Sequence, residues 1–248
     1  MTKYSLNVTT EIRCVTQAKT LRENGMKNDQ VEIINNLLAS RAKLPHSDAP
    51  VAKCDEEGGC GVTGFIANIP VSGRHIYEPS VQMHNRGNGK GGGIAAVGLS
   101  AESLGVSQEI LEDHYLLQVA FLEPACQKEL EETCINPFLN IHSSSMIDTI
   151  DDYTEIGLEV KPPDVCRYFV RVKDDVLDAF IKEHKLEKME RRKAEDEFIS
   201  QNTYMLNEKY YASLGDKQAF VLSHGRNIMI LKVVGFAEQA TQYYKLDD

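Results

Sequence analysis

The 248-residue sequence has few features of a membrane, secreted or nucleic-acid-binding protein. Basic residues are scarce, with 27 Lys and Arg against 37 Asp and Glu, which gives a net charge of -10. Nucleic acids and anionic membranes favour a basic face, so we expect neither as a partner. The longest apolar runs, such as Ile228–Ala237, fall far short of the roughly 20 residues that cross a bilayer. The first residues lack the apolar segment of a secretory signal, and we expect a cytoplasmic location.

The six cysteines show no metal-binding or disulfide pattern. They are Cys14, Cys54, Cys60, Cys126, Cys134 and Cys166. No pair forms C-x-x-C and the spacings are scattered, so neither a zinc site nor a disulfide framework is indicated. His75, His142 and His224 also lack the spacing of a metal cluster, and we predict them in turns or loops. We therefore expect no metal and no cofactor, and most thiols should be small buried hydrophobic groups.

The first part of the chain divides into a polar leader and a glycine-rich unit. Residues 1–59 form the leader, in which apolar residues recur at helical spacing within Asp29–Leu44. The unit that follows is predicted as a strand over 61–69, a helix over 76–86 and a strand over 91–99. Pro79 falls in the first turn of that helix, where its missing N–H is tolerated, and Gly87 is predicted as a left-handed cap.

The rest of the sequence alternates between predicted strands and helices. Strands are predicted over 114–122, 155–160 and 166–172, and helices over 123–132, 174–184 and 185–215. The charged run 187–198 is interpreted as a solvated helix face. Residues 218–236 are predicted as a hairpin with its turn at His224–Asn227, followed by a helix from Ala237.

The glycine-rich turn imitates a phosphate-binding motif. Gly87, Gly89 and Gly92 satisfy G-x-G-x-x-G, but the motif follows a helix and precedes a strand, the reverse of a dinucleotide-binding fold. Gly91 stands where a P-loop has the Ser or Thr that binds magnesium. A tight turn is therefore the better interpretation than a nucleotide site.

Cys60 has the most suggestive surroundings of the six cysteines. Gly59 and Gly61 flank it, which leaves bare backbone that a ligand can approach closely. Arg86 ends the next predicted helix, and a cation close to a thiol favours the thiolate. Cys60 is thus a candidate nucleophile, and the alternative is a buried structural cysteine.

The stretch "CGVTGFIA", a helix ending in "HNRG" and the strand "GGGIAAVGL" together resemble the opening of class II glutamine amidotransferases, which are N-terminal-nucleophile hydrolases. More narrowly, the chain is similar to the amidotransferase domain of archaeal-type glutamate synthases. Cys60, Gly61, Gly64, Arg86 and Gly87 fit the family pattern in order. The predicted hairpin over 219–236 and the helix after it also fit.

The resemblance implies a mechanism. The leader is removed, and the α-amine of Cys60 becomes the general base for its own thiol, which attacks the side-chain amide of glutamine. Glutamate and ammonia are the products. Arg86 supports the site from the helix end, and a synthase domain or subunit accepts the ammonia.

Several family motifs do not occur in these 248 residues. They are a His-x-Arg-Trp/Tyr motif that binds the glutamine carboxylate, an Asn-Gly pair that follows it and forms the oxyanion hole, and a later aspartate. Asn88–Gly89 is an Asn-Gly dipeptide, but it lies too early in the chain to be that pair. Substrate-binding residues are therefore unknown. We expect the chain to be the first part of a longer reading frame and to be inactive alone.

The resemblance also implies a fold, an α+β four-layer αββα architecture that is incomplete here. The predicted organisation is a leader over 1–59, the nucleophile-bearing start over 60–99, an α/β insertion over 100–217 and the continuation over 218–248. The alternative from a different class is a non-catalytic α/β interaction or regulatory module in which Cys60 is structural.

Overall fold

The computed structural model describes residues 27–45, 61–87 and 89–246. The fold is mixed α+β with two antiparallel sheets. The helices are α1 Asn28–Arg41, α2 Tyr77–Gln82, α3 Gln108–Asp113, α4 Gln127–Leu130, α5 Asp174–Glu183, α6 Arg191–Tyr210 and α7 Ala237–Tyr243. The strands are β1 Gly92–Val97, β2 Tyr115–Phe121, β3 Leu139–Met146, β4 Asp164–Val172, β5 Ala219–Gly225 and β6 Ile228–Val233.

The chain divides into two compact units. Among the described residues, the first comprises 27–45 with Val172–Met205, and the second comprises 61–87, 89–171 and 206–246. Helix α1 therefore belongs, together with α5 and most of α6, to the first unit. Both sheets and α7 belong to the second, in which the cavity described below also lies.

An ion pair with a buried carboxylate holds α1 in the first unit. Arg41 donates two hydrogen bonds to Glu197, of 2.8 and 2.7 Å, and Glu197 is only 7% exposed. The pairing with Arg41 lowers the pKa of Glu197 below its ordinary value. Glu195 is buried too, so the interpretation of residues 187–198 as a solvated helix face was wrong at these two positions. The sequence pattern gave no sign that a basic residue distant in sequence would compensate Glu197.

The two sheets of the second unit are joined by a continuous stretch of chain. One sheet has the strand order β3-β4-β2-β5, and the other pairs β1 with β6. The predicted hairpin over 218–236 is therefore correct in its strands and wrong in its pairing. β5 pairs with β2, and β6 pairs with β1. The turn between them keeps Asn227 at φ 52°, and its side chain accepts a 2.6 Å hydrogen bond from the N–H of Leu99.

One hydrophobic cluster of the second unit lies on one face of the β1–β6 sheet. Leu231 and Val233 of β6 are buried there against Ala240 and Tyr243 of α7. β2, which lies within the strand predicted over 114–122, is buried along its whole length. On the opposite face of β1, Gly93, Ala95 and Val97 are exposed.

Three further local predictions were wrong. Residues 61–69 form no strand, and no strand pairs with them in the described part of the chain. Residues 155–160 form no strand: they begin inside a 3-10 turn, Tyr153–Ile156, which is followed by Gly157 with φ 74°. The serine-rich strand β3 was missed, because its sequence lacks the apolar alternation that identifies a strand.

Candidate functional site

The described chain after Cys60 packs against the turn that carries Arg86. Cys60 itself lies outside the described residues. A methyl group on Gly61 would lie 3.0 Å from the carbonyl oxygen of Met83 and 3.1 Å from Cβ of Arg86. Such contacts are closer than side chains normally make, so the glycine permits this approach of the two backbones. The Arg86 side chain is exposed, at the end of the 3-10 turn His84–Arg86.

A cavity of about 400 Å³ lies where Gly61, the end of α2, the start of β1 and the start of α7 meet. Six of the residues that line it are glycines: Gly61, Gly87, Gly89, Gly91, Gly92 and Gly93. Glycines leave backbone N–H and C=O groups accessible instead of side chains. A volume in this range is typical of sites for small molecules.

The glycine-rich turn forms one wall of the cavity. Gly89 has φ 69°, a left-handed conformation that favours glycine, which agrees with the interpretation as a tight turn. Gly87 has φ -97° and ψ 156°, so the prediction of a left-handed cap there was wrong. The chain instead leaves α2 through the 3-10 turn, and the N–H of Gly87 donates to the carbonyl of His84. Asn88 lies outside the described residues.

His84 and Glu238 form a polar pair in the cavity wall. Nδ1 of His84 lies 2.7 Å from Oε1 of Glu238, and Glu238 is only 8% exposed. The imidazole stacks on the ring of Phe236, with centroids 3.4 Å apart and an angle of 20° between the rings. Oε2 of Glu238 is buried and has no hydrogen-bond partner among the residues that the structure describes. The arrangement therefore fixes a histidine with a buried carboxylate.

The start of α7 is held in place by local contacts, and this places Glu238. The N–H of Phe236 donates to Oε1 of Gln239 over 2.7 Å, which closes the first turn of the helix. Nε2 of Gln239 donates in turn to the carbonyl of Ile156. Phe236 and Glu238 are thus positioned by the same helix start.

Sequence reasoning missed both His84 and Glu238. The two residues are 154 positions apart in the chain, and neither belongs to a spaced motif. His84 lies in the "HNRG" that carries the resemblance, which was the one available signal. Glu238 gave none, because a glutamate in the first turn of a helix is common for reasons of helix stability alone.

The other histidines are placed differently from the prediction. His142 lies on β3 and His224 on β5, so the assignment of these two to turns or loops was wrong. Burial lowers the pKa of His224, which favours its neutral form. His75 lies in the 3-10 turn Gly73–Ile76 and is exposed.

Two of the thiols that the structure describes lie in surroundings that disfavour the thiolate. Burial raises the pKa of Cys166 and of Cys126, the latter with a contribution from Glu123. Cys134 is buried. A raised pKa leaves less thiolate at neutral pH, so Cys126 and Cys166 are poor candidates for a nucleophile. Across residues 27–45, 61–87 and 89–246, no group of three or more His, Cys, Asp or Glu side chains could hold a metal ion.

No family model matches this chain. A protein of Archaeoglobus fulgidus described as uncharacterized is 25% identical over 191 residues, a match that covers 75% of this chain and 42% of that protein. The matched region thus spans about two fifths of the relative's length. None of the helices in the described ranges is both long enough and apolar enough to span a bilayer.

Proposed function

We propose that this chain is the nucleophile-bearing part of a class II glutamine amidotransferase, which hydrolyses glutamine to glutamate and ammonia. The observation that carries the proposal is the close approach of Gly61 to Met83 and Arg86 at the wall of a glycine-lined cavity. The sequence led us to expect the helix end that carries Arg86 close to Cys60, and the approach of the next residue, Gly61, supports that expectation. It brings the neighbour of Cys60 to a space of the right size for a small substrate.

The proposed reaction uses the thiol of Cys60 and the α-amine that leader removal creates. The amine, with an ordinary pKa of about 8, takes the thiol proton, and the thiolate attacks the side-chain amide carbon of glutamine. The C–N bond breaks, and the amine returns the proton to the leaving ammonia. Water then hydrolyses the glutamyl thioester to glutamate and the free thiol.

The role proposed for Arg86 is support of the site from the helix end. Its Cβ borders Gly61, so the residue shapes the approach of the chain that follows Cys60. The side chain is exposed and does not line the cavity, which fits support rather than substrate binding. The ammonia acceptor proposed is a synthase domain or subunit, with glutamate as its product.

The finer architecture proposed is the four-layer αββα fold. Two features support it: α7 covers one face of the β1–β6 sheet, and the opposite face exposes the small residues Gly93, Ala95 and Val97. In the four-layer architecture a second sheet packs on such a face. The division of the chain into segments 1–59, 60–99, 100–217 and 218–248 is part of the same proposal.

The direct test is glutaminase activity in the longest native reading frame that contains this chain. The wild-type protein should begin at Cys60, as read by N-terminal sequencing and intact mass, and a glutamine-like diazo-ketone should label it. Cys60→Ala should abolish both activity and labelling, because no other group replaces the nucleophile. Cys126→Ala is the matched control and should keep both.

Two outcomes would contradict the proposal. One is a Cys60→Ala protein that hydrolyses glutamine at the wild-type rate. The other is a wild-type protein that keeps residues 1–59 and is nevertheless fully active, because its Cys60 would then lack the amine. Absence of activity and labelling in a protein that starts at Cys60 would favour the non-catalytic module instead.

A further inference from the structure

The pair formed by His84 and Glu238 has no role in the reaction proposed above. An ionised carboxylate only accepts hydrogen bonds, so Nδ1 of His84 carries the hydrogen of the 2.7 Å contact with Glu238. This leaves Nε2 as a proton acceptor on an imidazole that lines the cavity. Stacking on Phe236 fixes the plane of the ring. The second unit therefore holds an oriented imidazole in the wall of a cavity of about 400 Å³.

The two members of the pair differ in their access to solvent. The side chain of Glu238 is 10% exposed, whereas that of His84 is 48% exposed. The carboxylate is thus shielded and acts on its surroundings through the imidazole, while the imidazole itself can reach water or a ligand. A base within reach of a ligand and held by a shielded second group is the arrangement that enzymes use for proton transfer.

The rest of the wall indicates which class of substrate the imidazole could act on. Among the described residues that line the cavity, most of the surface comes from glycines, which leave room for a small molecule beside the ring. A phosphate or sulfate ester would bring negative charge to a wall that already contains the carboxylate of Glu238. An uncharged carboxylic ester adds no charge, and its hydrolysis needs only water and a base.

We propose that His84, oriented by Glu238, is a general base for the hydrolysis of small carboxylic esters in this cavity. Nε2 takes a proton from water, and the water oxygen attacks the carbonyl carbon of the ester. The C–O bond to the alcohol breaks, and the imidazolium returns the proton to the departing oxygen. The products are a carboxylic acid and an alcohol, and Nε2 is free again. Cys60 takes no part, so this activity is independent of the glutaminase reaction.

A second titratable side chain of the wall is a poorer base. Lys232 lines the cavity and is exposed, and exposed lysines are cationic at neutral pH. The charged groups around His84 are thus Glu238 of α7, Lys232 of β6 and Arg86 at the end of its own turn. Glu238 touches the imidazole and not the substrate, which makes it a positioning residue.

The test uses Cys60→Ala in the longest native reading frame that contains this chain, because this substitution removes the thiol as a nucleophile. Hydrolysis of p-nitrophenyl acetate is followed by release of the coloured phenolate. We expect saturable hydrolysis that an added His84→Ala substitution slows by about 100-fold or more, the usual contribution of a positioned base. The rate should fall in deuterium oxide, because the base takes a proton from water. His75→Ala, which changes an exposed histidine, should leave the rate unchanged.

Glu238→Gln keeps a hydrogen-bond acceptor for Nδ1 and removes the charge. It should lower kcat and move the midpoint of the pH–rate profile to lower pH, because a neutral amide no longer favours the imidazolium. A loss of stability alone would not move that midpoint. Circular dichroism shows whether each variant is folded, and if His84→Ala is not, the profile of Glu238→Gln decides.

Four results would overturn the inference. They are no saturable hydrolysis by the Cys60→Ala protein, an undiminished rate in folded His84→Ala, an unchanged midpoint in Glu238→Gln, or a rate unaffected by deuterium oxide, which would make the imidazole a nucleophile. Glutaminase activity of the wild-type protein tests the proposed function separately, since it requires the thiol that this experiment removes.

Discussion

Gly92 lies where strand β1 passes the first residues of helix α7. A methyl group on Gly92 would overlap the carbonyl carbon of Phe236 and lie 2.5 Å from the nitrogen of Ala237. These are backbone atoms, which cannot rotate away as a flexible side chain can. The glycine therefore allows α7 to approach the sheet, and this approach places Phe236 and Glu238 at the cavity.

Gly92→Ala should destabilise the protein by about 1–3 kcal/mol, the usual cost of overpacking. The measurement is urea unfolding followed by circular dichroism. Gly91→Ala is a matched control, because a methyl group there would meet no atom within 4 Å. Its effect should stay within about 0.5 kcal/mol. Equal effects of the two substitutions would show that backbone packing at Gly92 does not matter.

At single residues, the sequence predicted the glycines of the site better than its polar groups. The requirement for glycine is local, since a tight turn or a close backbone approach needs a glycine at that position, and the glycine is visible in the sequence. The contact between His84 and Glu238 is formed by the fold and involves two distant positions. No pattern within either segment could have identified it.

Helix α1 shows how an element outside the predicted catalytic region is stabilised. Its residue Arg41 is largely exposed, and it stabilises the fold by donating hydrogen bonds to the buried carboxylate of Glu197. Gln201 gives Glu197 a further hydrogen bond of 3.0 Å. An exposed pair in the same unit, Lys43 with Glu183, provides a comparison in which both partners remain hydrated.

Arg41→Met should lower the free energy of unfolding by about 1–3 kcal/mol, because Glu197 is left buried with fewer donors. Lys43→Met should cost less than about 1 kcal/mol, as exposed pairs do. The pKa of Glu197 is lowered in the folded state. Its contribution to the free energy of unfolding is therefore complete above the ordinary pKa of about 4.3, and it is lost as the pH falls through the pKa of the folded state.

Urea unfolding at pH 7 and in steps from pH 5 to pH 3 measures this contribution. The difference in free energy of unfolding between wild type and Glu197→Gln should be largest at pH 7 and shrink toward pH 3. A difference that grows in acid would have the wrong sign for a carboxylate with a lowered pKa.

Among the elements, apolar periodicity predicted the helices and strands whose own residues show a helical or strand pattern. α5, β2 and α7 lie within the expected segments, whereas α1 begins one residue and β4 two residues before theirs. Strand β3 was missed, since its stability depends on pairing in the sheet rather than on apolar residues. Pairing is also why the hairpin prediction was wrong, because β5 pairs with β2 and β6 pairs with β1 instead of with each other. Strand propensity reports the ability to pair and says little about the partner.

At the scale of the whole molecule, the most unusual surface is the apolar segment 61–71. Val62, Phe65, Ile66, Ile69 and Val71 are all exposed there, and Ile66 is 98% exposed. The sequence predicted a buried strand in this segment. Its residue types suit burial, and the described part of the chain does not cover them. Exposed apolar side chains of this kind favour association with another surface.

We expect the 248-residue chain alone to self-associate through this segment. Ile66→Ser should reduce both the fluorescence of a bound apolar dye and the concentration-dependent rise in light scattering. Thr63→Ser, in the same segment, is the control and should leave both unchanged. A monomeric chain at every concentration, with no response to Ile66→Ser, would contradict the expectation.

The passage of the chain from β5 directly into β6 has a consequence for how the second unit opens. Only Arg226 and Asn227 separate a strand of one sheet from a strand of the other. Separation of β5 from β2 should therefore disturb the start of β6, where it pairs with β1. We expect neither sheet to unfold without the other. Slow amide hydrogen exchange in both sheets should report one shared opening event.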